Sequence, residues 1–120
     1  MMQFIDIDSD HIVAVSVHGR LTDEEFESVL EEMDARMEAH EKISFYNEIY
    51  DFQGTSIENY FKDLRFGINH WSRFEKIATV VDAKWVNKLT PVLDKLVPGI
   101  KIKTFPLNQM KAARMWVKSP

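Results

Sequence analysis

Apolar positions along the chain first recur with a period of two. Residues 2–7, Met-Gln-Phe-Ile-Asp-Ile, and residues 11–18, His-Ile-Val-Ala-Val-Ser-Val-His, are β-branched runs. The intervening Asp8, Ser9 and Asp10 carry short polar side chains that favour a turn, so the two runs predict a hairpin. In the second run Val13, Val15 and Val17 face one way and Ile12, Ala14 and Ser16 the other. A strand apolar on nearly both sides belongs inside its sheet, which leaves the first strand at the edge.

The period then lengthens. Thr22 and Glu25 have capping-box spacing, Leu21 and Phe26 can form a hydrophobic staple, and Phe26, Val29, Leu30, Met33 and Met37 follow at three- and four-residue intervals. The pattern predicts an amphipathic helix closing near His40, with its glutamates on the outer side. A third strand is expected over residues 43–50, where Ile43, Phe45 and Ile49 alternate against Tyr46 and Tyr50. Thr55 and Glu58 repeat the capping-box spacing, with Ser56 as an alternative cap. The second helix that follows carries the stripe Ile57, Tyr60, Phe61, Leu64, Ile68 and Trp71, and Gly67 within it marks close packing or a local break.

Residues 75–81 are almost wholly apolar, as in a parallel strand covered on both faces. Asp82 caps a third helix with the inward set Trp85, Val86, Leu89, Leu93 and Leu96, and Pro91 is expected to kink it or join two pieces. Pro98 and Gly99 stop it. Residues 100–104 alternate apolar with lysine, as a protected edge strand does, and Asn108 is the expected cap of a last helix built on Met110, Ala113, Met115, Trp116 and Val117. The order ββαβαβαβα, with right-handed crossovers, predicts an α/β fold. Its five-stranded mixed sheet runs in sequential order, the N-terminal strand antiparallel and the others parallel, with helices as cover.

The 120 residues fit a single domain spanning residues 1–120. The absence of cysteine excludes disulfides, thiolate nucleophiles and cysteine-ligated metals. No apolar run approaches the roughly 20 residues that cross a bilayer, and the first residues lack a signal-peptide pattern, so no membrane insertion and a cytoplasmic location are expected. Net charge is −4, yet residues 1–60 hold 15 acidic and 3 basic groups and residues 61–120 hold 4 and 12. The halves are thus −12 and +8. The lysines of the basic half are interspersed among apolar structural positions, which argues against a nucleic-acid groove; the two signs suit steering of a charged partner or head-to-tail alignment of two copies.

Catalytic motifs such as GxSxG, HExxH, a Walker loop or GxGxxG are missing, so no enzyme, cofactor or metal is expected. His11, His18, His40 and His70 each fit an ordinary structural place. The nominal acid–base groups are Asp51, His70 and Asp82, and His70-Trp71 with Asp82 and Trp85 are candidates for a cluster at the carboxyl end of the fourth strand. Tyr60, Phe61, Phe66, Trp71 and Trp85 either line an apolar cleft for a lipid-like molecule or fill it. Met110, Met115 and Trp116 are candidates for self-association.

Gly19-Arg20-Leu21-Thr22 before an acidic helix, Tyr50-Asp51-Phe52-Gln53-Gly54 after the third strand, Phe74 through Asp82, and Trp85 soon afterwards together resemble the SpoIIAA-like family, whose fold is related to STAS domains. The likeness covers nearly the whole chain. It implies a small domain of regulatory type, since related STAS proteins act as anti-sigma-factor antagonists or transporter modules. In those antagonists a Ser or Thr opening the helix after strand three accepts phosphate, which places Thr55 or Ser56 here. The antagonists' Asp-Ser-Ser-Gly signature is replaced by Gly54-Thr55-Ser56-Ile57. The resulting expectation is a non-catalytic protein-interaction domain modulated at the start of its second helix, with a hydrophobic-ligand carrier as the alternative.

Overall fold

The computed structural model describes residues 1–51, 55–68 and 70–120, with the backbone alone described at residues 55 and 56. Five strands, β1 (Met2–Phe4), β2 (Ile12–His18), β3 (Ile43–Tyr50), β4 (Phe74–Val81) and β5 (Lys101–Pro106), form one sheet in the order β1-β2-β3-β4-β5. β1 is antiparallel to β2 and every other pair is parallel, as the pattern predicts. The helices are α1 (Asp23–Ala39), α2 (Thr55–Gly67), α3 (Ala83–Leu96) and α4 (Met110–Lys118).

The two faces of the sheet are covered unequally. The sequential parallel crossovers put α1, α2 and α3 on one side, where Val13, Val15 and Val17 meet Val29, Met33, Ile57, Leu64, Leu89 and Leu93 in the larger core. On the other side Ile12, Ala14, Tyr46, Ala78, Val80 and Phe105 pack against Ala113 and Val117 of α4, with Ile5 and Ile7 beside them. The period-two alternation of β2 and β3 sorts these two sets.

Local rules account for the ends of α1 and α2. The Thr22 hydroxyl accepts from the Glu25 amide at 3.1 Å and a Glu25 carboxylate oxygen accepts from the Thr22 amide at 2.9 Å, completing the capping box. The other Glu25 oxygen accepts from the Met2 amide, tying the edge strand to the helix start. At Gly67 an added Cβ would lie 2.9 Å from Leu30 Cδ1, so this glycine ends α2 where it presses on α1.

Four details depart from the pattern. The antiparallel pair of the hairpin forms, but the first strand stops at Phe4, with one further bond from the Ile5 amide to the Ala14 carbonyl; the Asp8 amide donates to Asp6 Oδ1 at 2.8 Å and Asp8 takes φ +58°, so the connecting loop is longer than Asp8-Ser9-Asp10. α2 ends at Gly67, so His70 and Trp71 lie beyond it, Trp71 opening a 3-10 turn over Trp71–Arg73. Its indole instead donates to the Arg65 carbonyl at 3.0 Å, capping the helix from outside. α3 is one continuous helix through Pro91 and not two joined pieces; both Pro91 and Asn87, whose carbonyl loses its donor, are exposed. Asn108 sits inside a 3-10 turn, Leu107–Gln109, and α4 begins without a side-chain cap.

Candidate functional site

Parallel strands deliver their carboxyl ends to one rim, the usual place for binding in such sheets. There β2 ends at His18, β3 at Tyr50 and Asp51, β4 at Val81 and Asp82, and β5 at Pro106 and Leu107. An open depression of about 290 Å³ lies at this rim, with Tyr50, Asp51, Asp82, Lys84, Trp85 and Leu107 in its lining. The His18 ring stacks on Tyr50 with centroids 4.6 Å apart and planes 8° from parallel, and its Nδ1 lies 3.5 Å from Asp51 Oδ2. Asp51 holds a positive φ of 58° at the end of β3. Asp82 is engaged as the α3 cap, accepting from the Lys84 amide at 3.1 Å, and the Lys84 and Lys88 ammonium groups lie over the Trp85 ring at 6.0 and 5.3 Å.

Behind the rim a charged cluster fastens α4. Glu48 is 4 % exposed; it accepts from the Tyr46 hydroxyl, from the Tyr50 hydroxyl at 3.1 Å and from the Arg114 guanidinium at 2.6 Å. Arg114 Nε donates to the Tyr46 oxygen at 3.2 Å. Burial, and then the neighbouring Glu48, push both phenols above their ordinary range, so each hydroxyl stays protonated and donates. Lys76, equally buried, donates to the Trp116 and Ser119 carbonyls at 2.9 and 2.7 Å and closes the carboxyl end of α4. Tyr50 is shared between cluster and depression, so the cluster's hydrogen bonds hold one wall of the rim. Glu48, Lys76 and Arg114 escaped the reading of the sequence, although Tyr46-x-Glu48-x-Tyr50 places three polar-tipped residues on one strand face.

The structure brings Asp51, Asp82 and Trp85 together at the depression. It places His70, exposed, and Trp71 at the amino end of β4, so that eight-residue strand, about 25 Å long, separates them from Asp82 and Trp85. The five aromatic candidates do not share one cleft. Tyr60 and Phe61 are buried edge to face with centroids 4.9 Å apart, burial pushing the Tyr60 phenol upward as well. Phe61 and Trp71 border a small apolar space of about 10 Å³, at most a single water's room, while Phe66 is 92 % exposed. Of the α4 candidates, Met110 and Trp116 pack on the sheet and Met115 is exposed. The side chains of Thr55 and Ser56 lie outside the described residues.

Among the described residues no helix is long and apolar enough to cross a membrane, and no three His, Asp or Glu side chains are grouped to hold a metal ion. A family model described as SpoIIAA-like matches residues 12–118. No curated protein and no solved structure matches the chain.

Proposed function

The chain belongs to the SpoIIAA-like family, and we propose that it works as a non-catalytic regulatory domain that docks a partner protein through the carboxyl-end rim and the start of α2. The observation that carries the reading is the depression lined by Tyr50, Asp51, Asp82, Lys84 and Trp85. It offers carboxylates, an ammonium group and an indole on one open surface, the mixture of polar and aromatic groups that protein interfaces use. Its Asp82 serves as a helix cap and Tyr50 as a donor to Glu48, which supports a part for both in holding the shape of the surface. Regulation enters at Thr55 or Ser56, because a phosphate added at the first turn of α2 meets unpaired amides and the positive end of the helix dipole, and changes the charge beside the depression.

Intact-mass measurement on the chain isolated from its native cells tests the switch, the expected species carrying one phosphoryl group that is lost in Ser56→Ala or Thr55→Ala. A photo-crosslinker at Lys84 tests the surface in the same cells, with Ser72, at the opposite end of β4, as control. One defined protein is expected from Lys84 only, and its yield should change in Ser56→Asp or Thr55→Asp. An unmodified chain removes the switch; equal labelling from both positions removes the docking surface.

A further inference from the structure

A second surface lies apart from the rim. α1 and α2 leave a groove of about 650 Å³ between them, floored by Leu21, Phe26, Leu30 and Gly67 and edged by Asp23, Glu27, Asp63 and one cation, Arg20. Phe66 stands at its side almost fully in solvent. α1 itself carries eight acidic residues and one basic one. On the opposite face of the sheet, α4 shows the reverse chemistry. Met115 is 66 % exposed, and Lys111 and Lys118, four residues before it and three after, flank it on the same side of the helix. Lys101 and Lys103 extend this ridge along the edge strand, and residues 101–118 contain no acid. Among the described residues none of these four lysines, and none of the three groove carboxylates, takes part in an ion pair.

We propose that the acidic α1–α2 groove receives the lysine-flanked α4 ridge of a second copy of this chain, so that copies associate head to tail. Three observations point to this occupant. The groove and the ridge have opposite charge, each set is unneutralised within its own molecule, and each presents one large apolar side chain, Phe66 or Met115, that burial would cover. The methionine suits such a groove because its unbranched, polarisable side chain fits irregular apolar space. Since groove and ridge lie on opposite faces, the contact is heterologous: each copy keeps a free groove or a free ridge, and assembly continues until a ring closes. α4 has nine residues, about 14 Å of helix, which makes the contact smaller than a standard interface and its strength dependent on salt and concentration.

Sedimentation over a concentration series reaching the millimolar range reads the proposal. The wild-type average mass should rise with concentration at about 0.01 M salt and fall back toward the monomer at about 1 M, as the Debye length shortens from ~30 Å to ~3 Å. Phe66→Ser and Met115→Ser alter exposed side chains, so both should keep the wild-type circular dichroism and melt, and each alone should weaken association at least tenfold. Their mixture is the decisive sample. One variant retains the ridge and the other the groove, so together they should form a dimer that grows no further. A monomeric wild type at low salt overturns the proposal, as does association that survives high salt or a mixture that stays monomeric. Loss in Phe66→Ser alone would mean groove meeting groove, loss in Met115→Ser alone ridge meeting ridge, and either overturns it equally.

Discussion

Replacing Arg114 by methionine keeps the aliphatic stem of the side chain but removes the guanidinium, with its charge and its donors to Tyr46 and Glu48. Glu48 then stays 4 % exposed without the cation that approaches it to 2.6 Å. Breaking a fully buried ion pair from one side costs ~3–5 kcal/mol. Two facts lower the figure here: the Arg114 side chain is 37 % exposed, and Glu48 still accepts from the Tyr46 and Tyr50 hydroxyls. The expected cost of Arg114→Met is therefore about 2–3 kcal/mol, which at a urea m-value of ~1.5 kcal/mol/M lowers the unfolding midpoint by about 1.5 M. Glu48→Gln keeps an acceptor and removes the charge, for about 1 kcal/mol. Once the carboxylate is gone the arginine has less to compensate, so the cost of Glu48→Gln/Arg114→Met should fall short of the sum of the two single costs by at least ~1 kcal/mol. Urea titrations of the four proteins at constant m-value measure this. Amide exchange should accelerate in α4 and leave α1 to α3 near wild type. Strict additivity, or a cost for Arg114→Met below about 0.5 kcal/mol, would refute the reading that this arginine neutralises a buried carboxylate.

The remaining predictions concern the other face and the chain start. Thr79 is fully buried and its hydroxyl has no hydrogen-bond partner among the described residues, so Thr79→Val should raise stability by about 1 kcal/mol, read as a higher melting temperature. Gly67→Ala sets a helix gain of up to ~1 kcal/mol against a Cβ 2.9 Å from Leu30 Cδ1 and should be nearly neutral in the wild type; in a Leu30→Ala background the same change should stabilise, and equal effects in both would remove the contact as cause. The Glu25 carboxyl is held below its ordinary value chiefly by the Thr22 amide, helped by the Met2 amide and the terminal ammonium group. A lowered folded-state pKa means that the unfolded chain binds the proton more readily, so the contribution is full above about pH 4.3 and lost as pH falls through the folded value. The stability gap between wild type and Glu25→Gln should accordingly close in acid, and a gap unchanged from neutral pH to pH 3, a value about one unit below the free carboxyl, would count against the ionised box.

Periodicity made the fold legible because each segment commits strongly to a period of two or 3.6, and parallel crossovers leave little freedom in how such segments stack. Where local chemistry competes with periodicity the reading failed. The Asp6–Asp8 turn cuts short an apolar run that continues through Ile7, and Gly67 halts a helical stripe that nominally reaches Trp71. The rim was partly legible, since strand ends and caps are local features, and Asp51, Asp82 and Trp85 do meet there. His70 and Trp71 are candidates for the same end, but they immediately precede β4, and a parallel crossover returns the chain to the amino end of the next strand, so they lie there instead. The Glu48–Arg114 pair joins residues 66 apart in sequence, and nothing local in either segment signals the other.

That pair also bears on the uneven charge of the chain. Four ion pairs and one His18–Asp51 contact lie among the described residues, and only Glu48–Arg114 and Glu58–Lys62 join the acidic half to the basic half. Folding therefore neutralises little of the separation between −12 and +8. An internally paired protein would lose its long-range field, whereas this one keeps acid concentrated on α1 and base along β5 and α4, on opposite sides of one sheet. A molecule with that distribution orients an approaching charged surface before contact, and the orientation weakens as salt shortens the range of the field. Binding at either face should thus show its salt dependence mainly in the association rate, while the apolar anchors and buried polar groups set how long a complex lasts.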